Sequence, residues 1–399
     1  MSSDAVADTV VIVAARRTPL GAFQGSLANV QSPDLAATAM RACVADTDID
    51  ADAIDEVLMG CVLPAGVGQA PARQAAIGAG ISLRAGCTTL NKVCGSGMKA
   101  TTIAHDLIKV GSAGIVVAGG MESMSNAPYL MPKARSGYRM GHQQVLDHMF
   151  FDGLQNPYDG NMMGHFAEAT AQKYSFSRED QDAFAIESVT RARNAIANGA
   201  FAAEISPVTT TTRQGEITVS EDEGPGVASL EKIPTLRPAF ATDGTVTAAS
   251  SSSISDGAAA LMLMSASDAK QRGLEPLATI VGHSGFAHEP EWFTTAPVFA
   301  IRALHQKLGW DPDNVDLYEI NEAFACVTMA AIADVGLDHA KVNVNGGACA
   351  LGHPIGATGA RIIVTLLHAL RARKLNRGIA ALCIGGGEAV AIGIEINQS

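Results

Sequence analysis

The feature that most constrains how this chain can fold is an internal repeat. Three segments near its N-terminal end have counterparts near its C-terminal end, in the same order and at a nearly constant separation. The matched ranges are 50–60 with 311–321, 95–107 with 357–369, and 114–122 with 378–388. Three ordered matches are hard to obtain by chance, so the chain is predicted to contain two copies of one folding unit.

Each copy is predicted to be an α/β unit. Short apolar, β-rich runs alternate with segments of helical period, as expected for buried strands flanked by helices. The N-terminal half is predicted to comprise residues 1–120, with residues 246–274 returning to it, and the C-terminal half to comprise residues 275–399.

Residues 121–245 interrupt the repeat and are predicted to form an inserted loop lobe that covers the site. The first part of this insertion is rich in Met, Gly, Pro and Tyr and has no sustained period. Ser177 and Asp180 then have the spacing of a capping box, which predicts the start of a long helix.

Charge and cysteine content argue against several classes of protein. A net charge of −12 argues against binding to nucleic acid or to an anionic membrane. The seven cysteines form no C-x-x-C pair and no Cys/His ladder, which argues against a disulfide framework or a metal site. Unpaired thiols fit a cytoplasmic setting. The N-terminus resembles no secretory signal, and no uncharged stretch approaches the roughly 18 residues of a spanning helix.

Three reactive side chains lie among glycines. Cys94 precedes Gly-Ser-Gly, His353 lies in Leu-Gly-His-Pro-Ile-Gly, and Cys383 precedes Ile and three glycines. Glycine lets a substrate approach the backbone and leaves N–H groups free to face developing charge. Two thiols and an imidazole in this setting indicate acyl transfer through a thioester. We expect the start of a helix to lower the pKa of Cys94 below the usual value of about 8.5.

Each of these residues also has an unreactive interpretation. A free cysteine such as Cys94 is commonly a small buried hydrophobe, and Cys383 alone would be assigned to the core. His353 could be a capping or core histidine. Asn321 occupies in the second copy the position of Gly60 in the first, and is either a turn residue or a donor to a thioester oxygen or a water.

Taken together, these segments resemble the thiolase family along nearly the whole chain. The motifs that carry the resemblance are Asn-Lys-Val-Cys94-Gly-Ser-Gly, Ala-Gly-Gly-Met-Glu-Ser-Met-Ser, Asn321-Glu-Ala-Phe-Ala, Gly-His353-Pro-Ile-Gly-Ala-Thr-Gly and Cys383-Ile-Gly-Gly-Gly. The resemblance implies an α/β thiolase fold, with duplicated halves in a five-layered αβαβα arrangement and an inserted loop lobe. It also implies a homotetramer, built as a dimer of dimers.

The same resemblance implies catalytic roles. Cys94 would be the acyl-accepting nucleophile, His353 its base, and Cys383 the acid/base at the α-carbon. Asn321, through a water that it shares with His353, would form one oxyanion hole. The N–H groups of Cys94 and Gly385 would form the other.

The implied activity is the reversible Claisen condensation of two acetyl-CoA molecules to acetoacetyl-CoA and CoA, through an acetyl-cysteine. Acyl-CoA is the substrate, and neither a cofactor nor a metal is expected. The implied substrate-binding residues are Ser252 at the pantetheine arm and Phe293 and Met163 at the acyl pocket. Phe293 stands where many relatives of the family have methionine. The resemblance therefore leaves open whether substrates with short branched acyl groups are also accepted.

Three alternatives remain at this point. The first is a degradative 3-ketoacyl-CoA thiolase of broader chain length. The second is a decarboxylating ketoacyl synthase-like enzyme. The presence of Cys383 argues against it, because such enzymes need no second cysteine. The third is a sterol-carrier-like binding module. Two departures from the family pattern are the residues at 222–227, where relatives often carry an arginine facing the adenine, and Glu388 after the glycines.

Overall fold

A computed structural model describes residues 8–212 and 215–396. The strands are β1 (Val10–Arg17), β2 (Gly21–Ala22), β3 (Glu56–Gly60), β4 (Gly86–Leu90), β5 (Val116–Ser123), β6 (Tyr129–Leu130), β7 (Leu146–Asp147), β8 (Val208–Thr212), β9 (Gly215–Val219), β10 (Ser255–Ser265), β11 (Ala278–Ala287), β12 (Leu317–Ile320), β13 (Arg377–Ile384) and β14 (Glu388–Glu395). The α-helices are α1 (Ser32–Thr47), α2 (Pro71–Gly78), α3 (Ser96–Lys109), α4 (Met163–Tyr174), α5 (Arg178–Ala197), α6 (Glu223–Val227), α7 (Ala266–Gln271), α8 (Ala296–Leu308), α9 (Ala325–Val335), α10 (Ala348–Leu351) and α11 (Thr358–Arg373).

The strand pairings repeat between the two halves, as the sequence predicts. In the N-terminal half, β3 pairs parallel with β4 and β5, and β10 pairs antiparallel with β5 and β1. In the C-terminal half, β12 pairs parallel with β13, and β14 pairs antiparallel with β13 and β11. A parallel bridge from Tyr318 to Val342 takes the place of the β3–β4 pair. Short antiparallel pairing of β1 with β11 joins the two sets of strands.

Five layers follow from the way the helices cover these strands. Alternate residues of β10 face opposite ways: Leu261 and Leu263 join the central core, whereas Ala260 and Met262 join an outer core with α1 and α2. Helices α3 and α11 pack against each other and against strands of both halves. Helices α8 and α9 contribute to a separate core with the C-terminal strands. The layers are therefore α1/α2, N-terminal strands, α3/α11, C-terminal strands and α8/α9.

The central helices cross at glycines that the repeat had matched. A Cβ atom added to Gly97 would lie 2.7 Å from the backbone nitrogen of Ala360, and one added to Gly359 would overlap the backbone nitrogen of Met98. Only glycine permits so close an approach of two backbones. The crossing brings the N-terminal ends of α3 and α11 to the same region of the molecule.

The segment between β5 and β10 carries α4 to α6 and two hairpins, β6–β7 and β8–β9. The predicted capping box is confirmed, because Ser177 accepts from the N–H of Asp180 and the Asp180 carboxylate accepts from the N–H of Ser177. Since β10 lies between β1 and β5, the chain returns to the N-terminal strands after the insertion. The domain boundaries given above stay predictions. Within the described ranges, no helix combines the length and apolar character needed to cross a membrane.

Candidate active site

Cys94 lies in a tight turn between β4 and α3, which we call the Cys94 turn (residues 91–95). Val93 has φ of 45°, a left-handed conformation that is uncommon for a β-branched residue. The Ser96 hydroxyl holds this turn, because it accepts from the N–H of Lys92 at 2.8 Å and donates to the carbonyl of Val93 at 2.6 Å. The strained turn places the thiol just before the first turn of α3.

The Cys94 sulfur faces backbone N–H groups of both halves. Burial raises the pKa of Cys94 to about 11, and it outweighs the nearby N–H groups of Gly385 and of Cys94 itself, which lower the pKa. The prediction of an acidified thiol is therefore wrong: packing by distant segments removes more water than the helix start compensates. The resting group at neutral pH is a thiol.

His353 is buried and presents one free ring nitrogen. Its Nδ1 lies 2.6 Å from the hydroxyl of Thr358, whose oxygen lies 3.0 Å from the carbonyl of Pro354. That carbonyl can only accept, so the Thr358 proton goes to it, and the hydroxyl oxygen accepts from Nδ1–H. Nε2 then carries the lone pair and has no hydrogen-bond partner among the residues that the structure describes. Burial and, secondarily, Arg361 lower the pKa of His353 to about 3, so the imidazole is neutral.

Cys383 lies next to Cys94 at the end of β13. Burial, then the nearby sulfur of Cys94, then that of Cys326 raise its pKa well above the usual value, so Cys383 is also a thiol at rest. It packs in an apolar cluster with Phe293 and Met163. Phe293 is only 2% exposed, so the structure surrounds this thiol with apolar side chains.

Asn321 follows β12 and has a fixed backbone with an unsatisfied side chain. Its N–H donates to the carbonyl of Ala381 at 3.0 Å. The side chain of Asn343 bonds both the N–H and the carbonyl of Ile320, each at 2.8 Å. Both polar atoms of the Asn321 amide are buried without a partner among the described residues. Because such groups are nearly always hydrogen-bonded, the amide is suited to hold a water or a substrate oxygen.

Glu122 positions the turn that carries His353, and the sequence analysis missed it. Its carboxylate accepts from the N–H groups of Val62 at 2.9 Å, Leu63 at 3.1 Å and Gly356 at 2.9 Å. Burial raises its pKa to about 7, against the effect of these donors. The available signal was its match with Glu388 in the repeat, which gave no indication of the backbone contacts.

A cavity of about 200 Å³ opens beside these groups. Met163, Ser252 and His353 line it, together with aromatic and aliphatic side chains that include Phe240, Phe324 and Leu154. Met163 connects the cavity with Gly385. Its side chain lines the cavity, and its sulfur would lie 3.5 Å from a Cβ atom added to Gly385. Cys94 packs in the apolar cluster that contains Leu154 and Ile355, two residues beyond His353.

The structure places three of the predicted residues on the wall of one cavity and links Cys94, Cys383 and Gly385 to it by contact, whereas Asn321 does not line it. Met163, Ser252 and His353 line it, Gly385 and Cys383 adjoin Met163, and Cys94 adjoins Gly385 and Cys383. Phe293 lies behind them in the apolar cluster rather than on the cavity wall. The roles assigned to these residues stay predictions.

The unusual residues at 222–227 hold the N-terminal segment in place. Asp222 is buried and pairs with Arg17 at 2.7 Å. Glu223 accepts from the N–H groups of Ala22 and Ser26, each at 2.9 Å. These two acids thus have structural partners.

One group of side chains among the described residues has the composition of a metal site. The ring nitrogens of His105 and His283 lie 2.9 Å and 3.0 Å from the same carboxylate oxygen of Asp106. Hydrogen bonds to this oxygen account for the arrangement. His105 lies about 14 Å along α3 from its first residue, Ser96, at the rise of 1.5 Å per residue, and hence far from Cys94.

Comparison with known proteins places the chain in a family. The thiolase N-terminal domain matches residues 10–267 and the thiolase C-terminal domain matches residues 274–396. The chain belongs to the thiolase family, whose members are acyltransferases.

Individual relatives agree with this assignment. The chain is 49% identical to the acetyl-CoA acetyltransferase of Pseudomonas aeruginosa over 385 residues, which is 96% of this chain and 98% of the relative. It is 49% identical to the Escherichia coli enzyme of the same name over 387 residues, again 96% and 98%. Among solved structures, a thiolase of Ascaris suum in complex with coenzyme A has a TM-score of 0.92 at 42% identity, covering 98% of this chain and 100% of that one. The acetyl-CoA acetyltransferase of Bacillus anthracis has a TM-score of 0.95 at 42% identity, covering 98% and 99%.

Proposed function

We propose that this chain is an acetyl-CoA C-acetyltransferase, which condenses two acetyl-CoA molecules to acetoacetyl-CoA and CoA and catalyses thiolysis in reverse. Relatives at 49% identity carry that name. The observation that supports the chemistry is that the Cys94 sulfur meets the N–H of Gly385 and the thiol of Cys383, with the free Nε2 of His353 on the adjoining cavity.

In the first half of the cycle, Cys94 is acylated. Nε2 of His353 takes the Cys94 proton as the sulfur attacks the thioester carbonyl. The N–H groups of Cys94 and Gly385 stabilise the resulting oxyanion. When the carbon–sulfur bond to CoA breaks, the Cys383 thiol protonates the leaving CoA. The products are acetyl-Cys94, a Cys383 thiolate and an imidazolium, so the protons balance.

In the second half, the Cys383 thiolate takes an α-proton from a second acetyl-CoA. The enolate oxygen is stabilised by a water that Asn321 shares with His353, and a donor of this kind contributes about 3–4 kcal/mol. The carbanion attacks the acetyl group, the Cys94 sulfur leaves, and the imidazolium returns its proton. All three groups regain their neutral resting forms. CoA enters as substrate and leaves as product, and no cofactor takes part.

The second candidate function is a 3-ketoacyl-CoA thiolase that accepts a broad range of acyl chain lengths. It differs from the proposed function in the length of the acyl group that it cleaves. The buried aromatic residues around the site favour short acyl groups, since Phe293 is 2% and Phe324 is 8% exposed. Comparing kcat/KM for thiolysis of acetoacetyl-CoA, 2-methylacetoacetyl-CoA and longer 3-ketoacyl-CoAs tests this. Preference for the longest substrate would favour the second candidate.

The roles of the two cysteines are tested with labelled acetyl-CoA and intact-mass measurement. Cys94→Ala should form no acetyl-enzyme, because the acceptor is gone. Cys383→Ser should still be acetylated but should not produce acetoacetyl-CoA, because the base for the α-proton is lost. A Cys383→Ser protein that does not become acetylated contradicts the division of roles.

A homotetramer in the cytoplasm, without nucleic-acid or membrane partners, belongs to the same proposal. Several large apolar side chains are exposed between residues 129 and 158 of the inserted lobe, including Met140 at 88%, Tyr158 at 76% and Tyr129 at 67%, and others such as Leu83 and Val110 are exposed elsewhere. Patches of this kind mark contacts between subunits. The seven unpaired cysteines support a reducing compartment. Light scattering after gel filtration measures the oligomeric state directly.

A further inference from the structure

The N–H of Gly385 needs external support to stay in register with Cys94. Gly385, Gly386 and Gly387 form the turn between β13 and β14, which we call the triple-glycine turn. Gly386 and Gly387 have φ of 99° and 94°. Three successive glycines have the greatest backbone freedom of any sequence, and an N–H that faces developing charge must be held within a fraction of an ångström.

One apolar contact joins the triple-glycine turn to the Cys94 turn. A Cβ atom added to Gly95 would lie 2.5 Å from Cδ1 of Ile384, so the backbone after Cys94 rests directly on the side chain before Gly385. This contact fixes the two turns at one point, but a single point allows rotation about it.

An ion pair provides a second point. Nζ of Lys92 contacts Oε2 of Glu388, although the two residues are far apart in the sequence. Lys92 lies two residues before Cys94, and its carbonyl accepts from the N–H of Gly95 at 3.0 Å. Glu388 directly follows the triple-glycine turn, and its backbone is fixed by pairing with Ile384 and Ala287. The pair therefore connects the backbone just before Cys94 with the backbone just after the triple-glycine turn.

We propose that the Lys92–Glu388 ion pair is a positioning device that holds the Gly385 N–H at the Cys94 sulfur and hence at the oxyanion that forms there. This inference rests on the proposed roles of Cys94 and Gly385. Both side chains act through the backbone, and neither lines the cavity beside His353. They are 26% and 40% exposed, and half-exposed ion pairs contribute little to the free energy of unfolding. Their effect is expected in the rate rather than in the stability.

A purely electrostatic role for Lys92 makes a different prediction. If the ammonium acted by lowering the pKa of Cys94, its removal would move the pH dependence of the acylation rate. Glu388 neutralises the ammonium, and burial and the N–H groups are the leading influences on the Cys94 pKa. The N–H of Gly385 itself lowers the pKa of Cys94, so loss of positioning should slow acylation and move the pH profile in the same direction in both single variants. A direct effect of charge should instead move the profile in opposite directions when Lys92 or Glu388 is neutralised.

The experiment measures single-turnover acetylation of Cys94 by acetyl-CoA, across pH, in Lys92→Met, Glu388→Gln, the double variant and the charge-swapped Lys92→Glu/Glu388→Lys. Each single variant should acetylate about ten-fold more slowly, which is a fraction of the 10²–10³ lost with a whole oxyanion donor. KM for acetyl-CoA and the denaturation midpoint should not change. The double variant should be no slower than either single one, and the swap should recover the rate. Arg84→Met, which removes the exposed Arg84–Asp52 pair at 3.0 Å, is the matched control and should acetylate normally.

Two results would overturn the proposal: a swapped protein as slow as the single variants, or pH profiles that shift in opposite directions in Lys92→Met and Glu388→Gln. Single variants that acetylate at the wild-type rate would overturn it as well. Failure of the proposed function is distinguishable, because the wild-type protein would then form no acetyl-Cys94 at all.

Discussion

Replacing Thr358 by valine should slow thiolysis strongly while leaving the fold intact. The hydroxyl of Thr358 lies 2.6 Å from Nδ1 of His353 and 3.0 Å from the carbonyl of Pro354. Since it donates to that carbonyl, it can only accept from the ring, and this fixes the proton on Nδ1. Valine has nearly the same shape but cannot accept.

The magnitude follows from the burial of the imidazole. Leaving a buried donor without a partner costs about 1–3 kcal/mol. The ring avoids this cost by moving its proton to Nε2, which then cannot serve as a base toward Cys94. A shift of that size in the tautomer equilibrium reduces the active fraction about 5- to 150-fold, at about 1.4 kcal/mol for each factor of ten. We expect kcat/KM to fall by that factor.

The assay is thiolysis of acetoacetyl-CoA, with urea denaturation of the same samples. Thr358→Ser keeps the acceptor and should retain most of the activity. Thr101→Val is the matched control, because the hydroxyl of the buried Thr101 donates in the same way to a carbonyl four residues earlier, that of Gly97 at 3.0 Å. No hydrogen bond joins it to His353 or to either cysteine among the described residues. A Thr358→Val protein as active as the wild type, or a Thr101→Val protein as slow as Thr358→Val, would refute the tautomer argument.

Two further predictions concern the thiol and the helix crossing. The rate at which iodoacetamide alkylates Cys94 should rise with pH up to about 10, because only the thiolate reacts and burial raises the pKa of Cys94 to about 11. Peptide mass spectrometry measures the alkylation of this residue. A rate that levels off near neutral pH would contradict the raised pKa. Gly359→Ala should lower the free energy of unfolding by about 1–3 kcal/mol, since its methyl group would overlap the backbone of Met98. Gly226→Ala, at a position with open space, should leave the unfolding midpoint unchanged, and equal midpoints for the two variants would show that the crossing is not tight.

The sequence predicted best what depends on pattern and spacing. The repeat anticipated two sets of strands with the same pairings, because duplicated segments bury the same faces. It also matched Gly97 with Gly359, and both turn out to lie where α3 and α11 cross. Ser177 and Asp180 anticipated a helix start because a capping box is closed within four residues.

Properties that depend on distant segments could not be predicted in this way. The pKa of Cys94 was expected to fall, since the sequence shows the helix start but not the packing that removes water from the sulfur. The backbone contacts of Glu122 join parts of the chain that no local pattern connects. The pairing of Lys92 with Glu388 is of the same kind, because it appears only once the two halves meet.

The resting protonation states are the feature that links the fold to the proposed chemistry. Burial keeps both thiols protonated and the imidazole neutral, so the closed site holds no isolated charge before the substrate binds. The same burial that raises the pKa of Cys383 makes its thiolate a strong base, and removal of a proton next to a thioester requires a strong base. On the proposed cycle the Cys383 thiolate arises only when the carbon–sulfur bond to the first CoA breaks. The base is therefore created one step before it is needed. A polar residue in the apolar cluster around Cys383, for example at Phe293, would therefore weaken the base even if it left the thiol in place.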